Sequence, residues 1–301
     1  MAAMNNALAN LSNLISKIQD EARKDREPLV QLTGMKSRGK PYSRPSVEYG
    51  EQPKQGLLNQ HITNCTTPPD IIALQEIGCS PTLTGYSVYE GLGQSKVATL
   101  VAKAVTAIRH DIDVTDIDHV LIEIITQKRT QESIFLLNIY SPPSQRKANF
   151  SYLLSKAEQA AGKQGLVILG DFNAWHKSWG YDRETPKGKA LAREADRRRL
   201  SLIIDHTQPT RVGNSINRDS CPDLAFVKGV REARWENDGE TLGSDHCILR
   251  IQIETLPIKK RHGLARLTDW EAFRKTRAES EDTEIVDIRS WSQESRRTGK
   301  G

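Results

Sequence analysis

The hydrophobic pattern divides the chain into a middle of alternating strand-like and helix-like segments and two ends of different character. Short apolar runs recur through the middle. They include Ile71-Ile72-Ala73-Leu74 after Pro-Pro-Asp, Tyr86 to Tyr89, Val97 to Ile108, His119 to Ile125 and Ser133 to Tyr140. Leu166 to Leu169, Leu202 to Ile204, Asp223 to Val227 and Ile248 to Ile253 complete the set. Most are rich in β-branched residues, and such runs predict strands, several of them inside sheets. Helical character marks residues 146–161, and Thr185-Pro186 supplies an N-cap and a first-turn proline for a helix through Arg199. Many strands with few long helices predict an α/β fold, two sheets packed face to face with helices outside.

The ends read differently. Leu8, Leu11, Leu14, Ile15 and Ile18 recur at helical spacing, which predicts an amphipathic leading helix. A stretch rich in Pro, Gly and charge follows, so residues 1–56 read as a helix and a flexible linker, and residues 57–255 as the folded domain. Residues 256–301 are a charged, linker-like tail in which Leu264, Leu267, Trp270 and Phe273 allow one short helix.

Composition narrows the class only a little. With 43 Lys and Arg against 38 Asp and Glu, the net charge of +5 is mildly basic, compatible with a nucleic-acid partner without specifying one. No run of 18 apolar residues marks a membrane span, and the N-terminus lacks the compact apolar stretch of a secretory signal. Cys65, Cys79, Cys221 and Cys247 show no zinc-ligand spacing and read as reduced thiols of an intracellular protein.

The chemistry lies at the strand ends. Leu74-Gln75-Glu76, Asn138-Ile139-Tyr140-Ser141-Pro142-Pro143, Gly170-Asp171-Phe172-Asn173, Ser220-Cys221-Pro222-Asp223 and Gly243-Ser244-Asp245-His246 each join a polar cluster to an apolar run. Any one alone is better explained as a turn or cap. Together they suit phosphodiester hydrolysis, which needs a hard cation on oxygen ligands, an oriented water and donors around the developing charge. Glu76 and Asp245 can bind the cation, Asp171 can orient or deprotonate the water, and Asn173 can donate to a phosphate oxygen. Tyr140 and His246 can donate to the remaining oxygens, with Asp223 holding His246.

The ordered set LQE, NIYSPP, GDFN, SCPD and GSDH resembles the motifs of the endonuclease/exonuclease/phosphatase superfamily. GDFNAWHKSWG, GKALAREAD, SCPDLAF and LGSDH are further similar to the endonuclease domains of non-LTR retrotransposons, over residues 57–255. The resemblance implies a four-layer α/β sandwich with its site at the top of two mixed sheets. It implies a Mg²⁺-dependent nuclease (Mn²⁺ as an alternative) acting in the nucleus. Its nick in DNA would leave a 3′-hydroxyl for reverse transcription, with element RNA and a reverse transcriptase domain as partners. Carried over by position, it gives Glu76 and Asp245 to the metal, Asp171 and Asn173 to the water, and Tyr140 with the Asp223-braced His246 to the transition state. Asn138 would support the site from the strand face it shares with Tyr140.

Such domains begin with a strand ending in Asn, in a pattern like QWN, and no apolar strand ending in Asn precedes Gly56. The first strand, which belongs in the middle of a sheet, is therefore expected to be missing, weakening the fold and impairing the activity. The alternatives are an inactive DNA-binding remnant, or a phosphoesterase of the same superfamily acting on another phosphate ester. Arg211, Asn214, Asn217 and Arg218 lie in a polar loop that suits either a DNA groove or an ordinary hairpin. Trp175, His176 and Trp179 are expected to pack the GDFN loop, and Arg193, Arg197, Arg198 and Arg199 to complement a helix end.

Overall fold

A computed structural model describes residues 29–34, 52–126, 131–213, 218–257 and 270–279. The chain divides into two compact units, residues 1–258 and 259–301. The expected leading helix, with Leu8, Leu11, Leu14, Ile15 and Ile18, lies outside the described residues, as do Leu264 and Leu267. In the second unit, helix α4 spans Trp270–Glu279, where the tail's apolar residues allow one.

Among the described residues of the first unit, twelve strands form two six-stranded sheets. Sheet A contains β1 (Leu29–Gly34), β2 (Ile71–Gln75), β3 (Tyr86–Glu90), β4 (Val97–Ala102), β11 (Glu232–Asn237) and β12 (Leu249–Glu254). Its order is β11-β12-β1-β2-β4-β3. Sheet B contains β5 (Thr106–His110), β6 (Asp118–Ile125), β7 (Ile134–Tyr140), β8 (Gly165–Asp171), β9 (Ser201–Leu202) and β10 (Asp223–Lys228). Its order is β5-β6-β7-β8-β10-β9. Helices α1 (Gln52–Asn64), α2 (Phe150–Ala161) and α3 (Pro186–Arg198) cover the outer faces.

Side-chain alternation produces the layers. On β7, Phe135, Leu137 and Ile139 face outward, joining Phe150, Leu153 and Leu154 of α2 and Leu191 of α3 in one core. Ile134, Leu136 and Tyr140 face the other way, into a core shared with Ile71 and Ala73 of β2 and Leu249 and Ile251 of β12. A third core seats Leu58 and Ile62 of α1 on Ile72, Leu74, Ala98 and Leu100 of sheet A. Helix, sheet, sheet and helices are the expected four layers.

The structure corrects the expectation of a missing first strand. Strand β1 lies inside sheet A, with Gln31 opposite Ile72 of parallel β2 and Arg250 of antiparallel β12. The segment read as linker therefore contains a central strand, and its last residues open α1. LVQLTG went unread because it is short and flanked by charge, and because it ends in Thr33-Gly34 rather than Asn. Its edges are defined by its neighbours, information a local window does not hold.

Two boundaries also shift, and one strand is new. The run Val97 to Ile108 is two strands in different sheets, β4 and β5, divided by the turn at residues 103–105. Helix α2 starts at Phe150 because Asn149 caps it, its side chain accepting from the Tyr152 amide at 3.2 Å. Edge strand β11, EARWEN, was not expected, since its charged residues dilute the apolar signal.

Of the basic helix end, Arg198 packs between helices. It bonds the Ser151 carbonyl at 2.7 Å, pairs with Glu194 at 3.2 Å and contacts the Glu158 carboxylate. None of the four cysteines is in a disulfide, and burial pushes the Cys221 and Cys247 thiols up in pKa.

Candidate active site

The site grows from strand register. Asp118 on β6, Tyr140 on β7, Asp171 on β8 and Asp223 on β10 are successive partners across sheet B. Tyr140 lies four residues from Leu136, and Asp171 and Asp223 two from Leu169 and Ala225, so period-two alternation gives all three the face toward sheet A. Sheet A adds Glu76, just past β2, and Asp245 and His246, just before β12. Apolar strands thus bring the candidate residues of five distant motifs to one end of the sandwich.

Backbone constraints fix the row. At Gly170 φ is +140°, and a Cβ would lie 1.9 Å from the Ile139 carbonyl oxygen, so only glycine lets β8 approach β7 before Asp171. Glu76 and Asn173, with φ of 53° and 45°, adopt the left-handed region without being glycine. Such conformations cost roughly 1–3 kcal/mol each and cluster at working sites.

Side chains then pair within the site. The Tyr140 hydroxyl donates to Glu76 Oε1 at 2.5 Å, and Asn173 Nδ2 donates to Asp171 Oδ1 at 2.6 Å. His246 Nδ1 lies 2.8 Å from Asp223 Oδ2 and 3.0 Å from Oδ1, in a buried pair. Burial, then Glu76, holds the Tyr140 phenol well above the ordinary tyrosine range, so it stays a neutral donor. Arg211 Nε reaches Asp245 Oδ2 at 3.0 Å. Asn138, fully buried, donates through Nδ2 to the Leu74 and Ala98 carbonyls of sheet A at 3.2 and 3.0 Å. Its Oδ1 accepts from Gln75 at 2.6 Å, tying β7 to the residue before Glu76.

The structure also shows functional candidates absent from the motifs. The buried Thr210 hydroxyl donates to Asp223 Oδ2 at 2.7 Å, and the Thr210 carbonyl accepts from the Cys247 amide at 2.7 Å. Arg211 pairs through its backbone with Ser220, and the Val212 amide donates to the Asp245 carbonyl at 2.8 Å. Residues 210–212 therefore buckle SCPD to GSDH. Nothing in the local sequence signals this, because both partners are remote.

Lys187 did leave a signal, a cation in the first turn of α3, where the helix dipole disfavours it. Its buried ammonium donates to the Ser141 and Pro142 carbonyls at 3.1 Å each, just after Tyr140. Burial lowers its pKa to about 8, against an ordinary 10.5, with Asp171 opposing the shift. The charged form is therefore penalised in the folded state below about pH 8, and the penalty is relieved between about 8 and 10.5. We expect Lys187→Met to melt at least as high as the parent at pH 7, losing that margin as pH rises to 10. Thermal melts across pH 6–10 test this, and a difference independent of pH would refute it.

Asn214 and Asn217 lie outside the described residues, and Arg218 is exposed. Trp179 packs as expected, buried and donating to the Ala174 carbonyl at 2.6 Å, whereas Trp175 is exposed. His176 pairs with Glu184 at 3.2 Å.

Residues 134–250 match the protein family described as endonuclease-reverse transcriptase. That stretch, less than half of the chain, holds the NIYSPP, GDFN, SCPD and GSDH motifs. More particularly, the chain is similar in structure to the endonuclease domain of TRAS1, a telomere-specific non-LTR retrotransposon. The TM-score is 0.58 and the identity 20%, over 75% of this chain and 98% of that one. It is also similar to truncated Caenorhabditis elegans TDP2, at a TM-score of 0.50 and 17% identity, over 76% and 98% of the two chains. At these identities the likeness is one of fold. No curated protein matches the chain.

Proposed function

We propose that this domain is a divalent-cation-dependent DNA endonuclease of the retrotransposon type, which nicks one strand to leave a 3′-hydroxyl. The observation that carries the reading is the buried Asp223–His246 pair set in register beside Asp171 and Tyr140. That arrangement supports a base, a neutral donor and a braced imidazole acting together. Asp171 takes the proton of the attacking water, which Asn173 helps orient. Tyr140, kept protonated by burial, and His246, held through Nδ1, donate to phosphate oxygens as negative charge grows.

The donor set fits a hard cation. Asp171, Asp223 and His246 offer ligand atoms within 4.8 Å of one another, all buried. Asp223 is engaged by His246 and Thr210; Glu76 and Asp245 are the residues that, by the resemblance of their motifs, would hold Mg²⁺ or Mn²⁺. Such an ion supplies positive charge to the phosphorane-like transition state. DNA is the partner this chemistry implies; element RNA and a reverse transcriptase domain follow only if the chain acts within a complete element, in the nucleus. Among the described residues no helix is long and apolar enough to cross a membrane.

The test is nicking of supercoiled plasmid by the purified chain in Mg²⁺ and in EDTA, beside His246→Ala. Mg²⁺-dependent nicking lost in the variant is expected, and no nicking by a folded chain would sink the reading. Within that assay, Thr210→Val removes a hydrogen bond to a charged group, worth about 1.5–3 kcal/mol, and should slow nicking by roughly tenfold or more. Thr210→Ser keeps the hydroxyl and should recover most of the rate. A pH–rate profile displaced by Val and restored by Ser would mark a positioning role, while equal loss in both variants would argue for packing alone.

A further inference from the structure

Trp175 sits two residues past Asn173, with nearly half of its surface (47%) exposed, while Trp179 four residues on is buried. A large aromatic left in water beside a site forgoes the burial it would gain elsewhere in the core. Its ring is not adrift. It stacks on Tyr181 with 5.5 Å between centroids and 9° between planes. Tyr181 is a firm backing, since its phenol is pushed above the ordinary range chiefly by burial and its hydroxyl bonds Ser220, at the start of SCPD.

The main chain under the ring is pinned as well. The Trp175 carbonyl accepts from the Thr185 amide at 3.0 Å. Helix α3 approaches so closely that a Cβ on Gly188 would lie 1.9 Å from that oxygen. One ring face is thus covered and the ring's position set before any ligand arrives. The stack links the segment after GDFN to the SCPD turn, and Tyr181 lies close enough to Asp171 and Asp223 to feel their charges.

We propose that the open face of Trp175, backed by Tyr181, is a stacking platform for one unpaired nucleobase of the substrate strand beside the scissile phosphate. The inference rests on the nuclease reading, which sets a phosphodiester next to Asp171 and Asn173. A base attached to that backbone is the flat π-surface within reach. Stacking uses no hydrogen-bond code, so any base is accepted provided it can leave its partner. The platform selects substrates whose duplex is locally open.

The experiment uses the full chain in EDTA, where cleavage does not intrude, with labelled duplexes carrying one unpaired 2-aminopurine and a fully paired control. The parent should quench 2-aminopurine fluorescence on binding. Trp175→Ala should remove the quench and weaken binding of the unpaired-base duplex about tenfold, changing the paired control less than twofold. Trp175→Phe should restore most of both. Unchanged affinity and quenching in Trp175→Ala, or a loss that Phe does not recover, would overturn the platform. Quenching retained by a chain that fails to nick plasmid would support the platform while sinking the hydrolytic reading.

Discussion

Asp171→Asn will abolish nicking, by at least about a thousandfold, and leave the domain folded. The expectation follows from how the residue is held. Asp171 is buried at the end of β8, its position fixed between Tyr140 and Asp223 by strand register. Asparagine is nearly isosteric and keeps an oxygen to accept the Asn173 amide now bonded at 2.6 Å. What it loses is the negative charge and the capacity to take a proton, and a general base alone contributes about 10²–10⁴-fold. The carboxylate also lies near Asp223 and Glu76-bound Tyr140, so removing its charge relieves repulsion while forfeiting attraction to Lys187. These effects oppose, and the melting temperature should stay within a few degrees of the parent. Nicking rates and thermal melts of the two proteins decide the matter. A variant with a tenth or more of parental activity would remove Asp171 from its assigned role.

Proline at Gln31 is expected to unfold the first unit at ordinary temperatures or lower its melting point by roughly 10 °C or more. Gln31 lies in the middle of β1, flanked on both sides by hydrogen-bonded strands. Proline removes the amide donor there and brings a ring into the ladder, and a central strand has no edge at which to accommodate either. One unsatisfied buried group costs about 1–3 kcal/mol, and steric displacement of β2 or β12 adds to it. Gln31→Ala keeps the amide and separates the backbone effect from that of the side chain. Circular dichroism melts of the three chains provide the measurement. If the proline variant melts with the parent, residues 29–34 are not the strand that closes sheet A.

The motifs were legible because each joins a run of buried apolar residues to a polar end. LQE, NIYSPP, GDFN, SCPD and GSDH can be read locally, and the structure brings them to one end of the sandwich. Strand β1 was not legible, since LVQLTG has weak alternation and its identity comes from β2 and β12, remote in sequence. The break between β4 and β5 was hidden for a related reason, because Lys103 to Val105 carries no strong turn residue. Thr210 lies in a stretch with no pattern of its own, and its meaning arises only when Asp223 and His246 close around it. Trp175 and Trp179 look alike in sequence, yet only the structure separates the one that packs from the one that faces water.

The backbone of Asn138 stays in the ladder of sheet B, while its side-chain amide crosses to sheet A and donates to the Leu74 and Ala98 carbonyls. Glu76 and His246 hang from one sheet, while Tyr140, Asp171 and Asp223 hang from the other. The candidate site is therefore a joint between two halves, and its alignment is only as good as the mortise that keeps them from sliding. The site would act as a strain gauge for the seam: a shift of one sheet against the other would misalign it while both sheets, taken singly, remained intact.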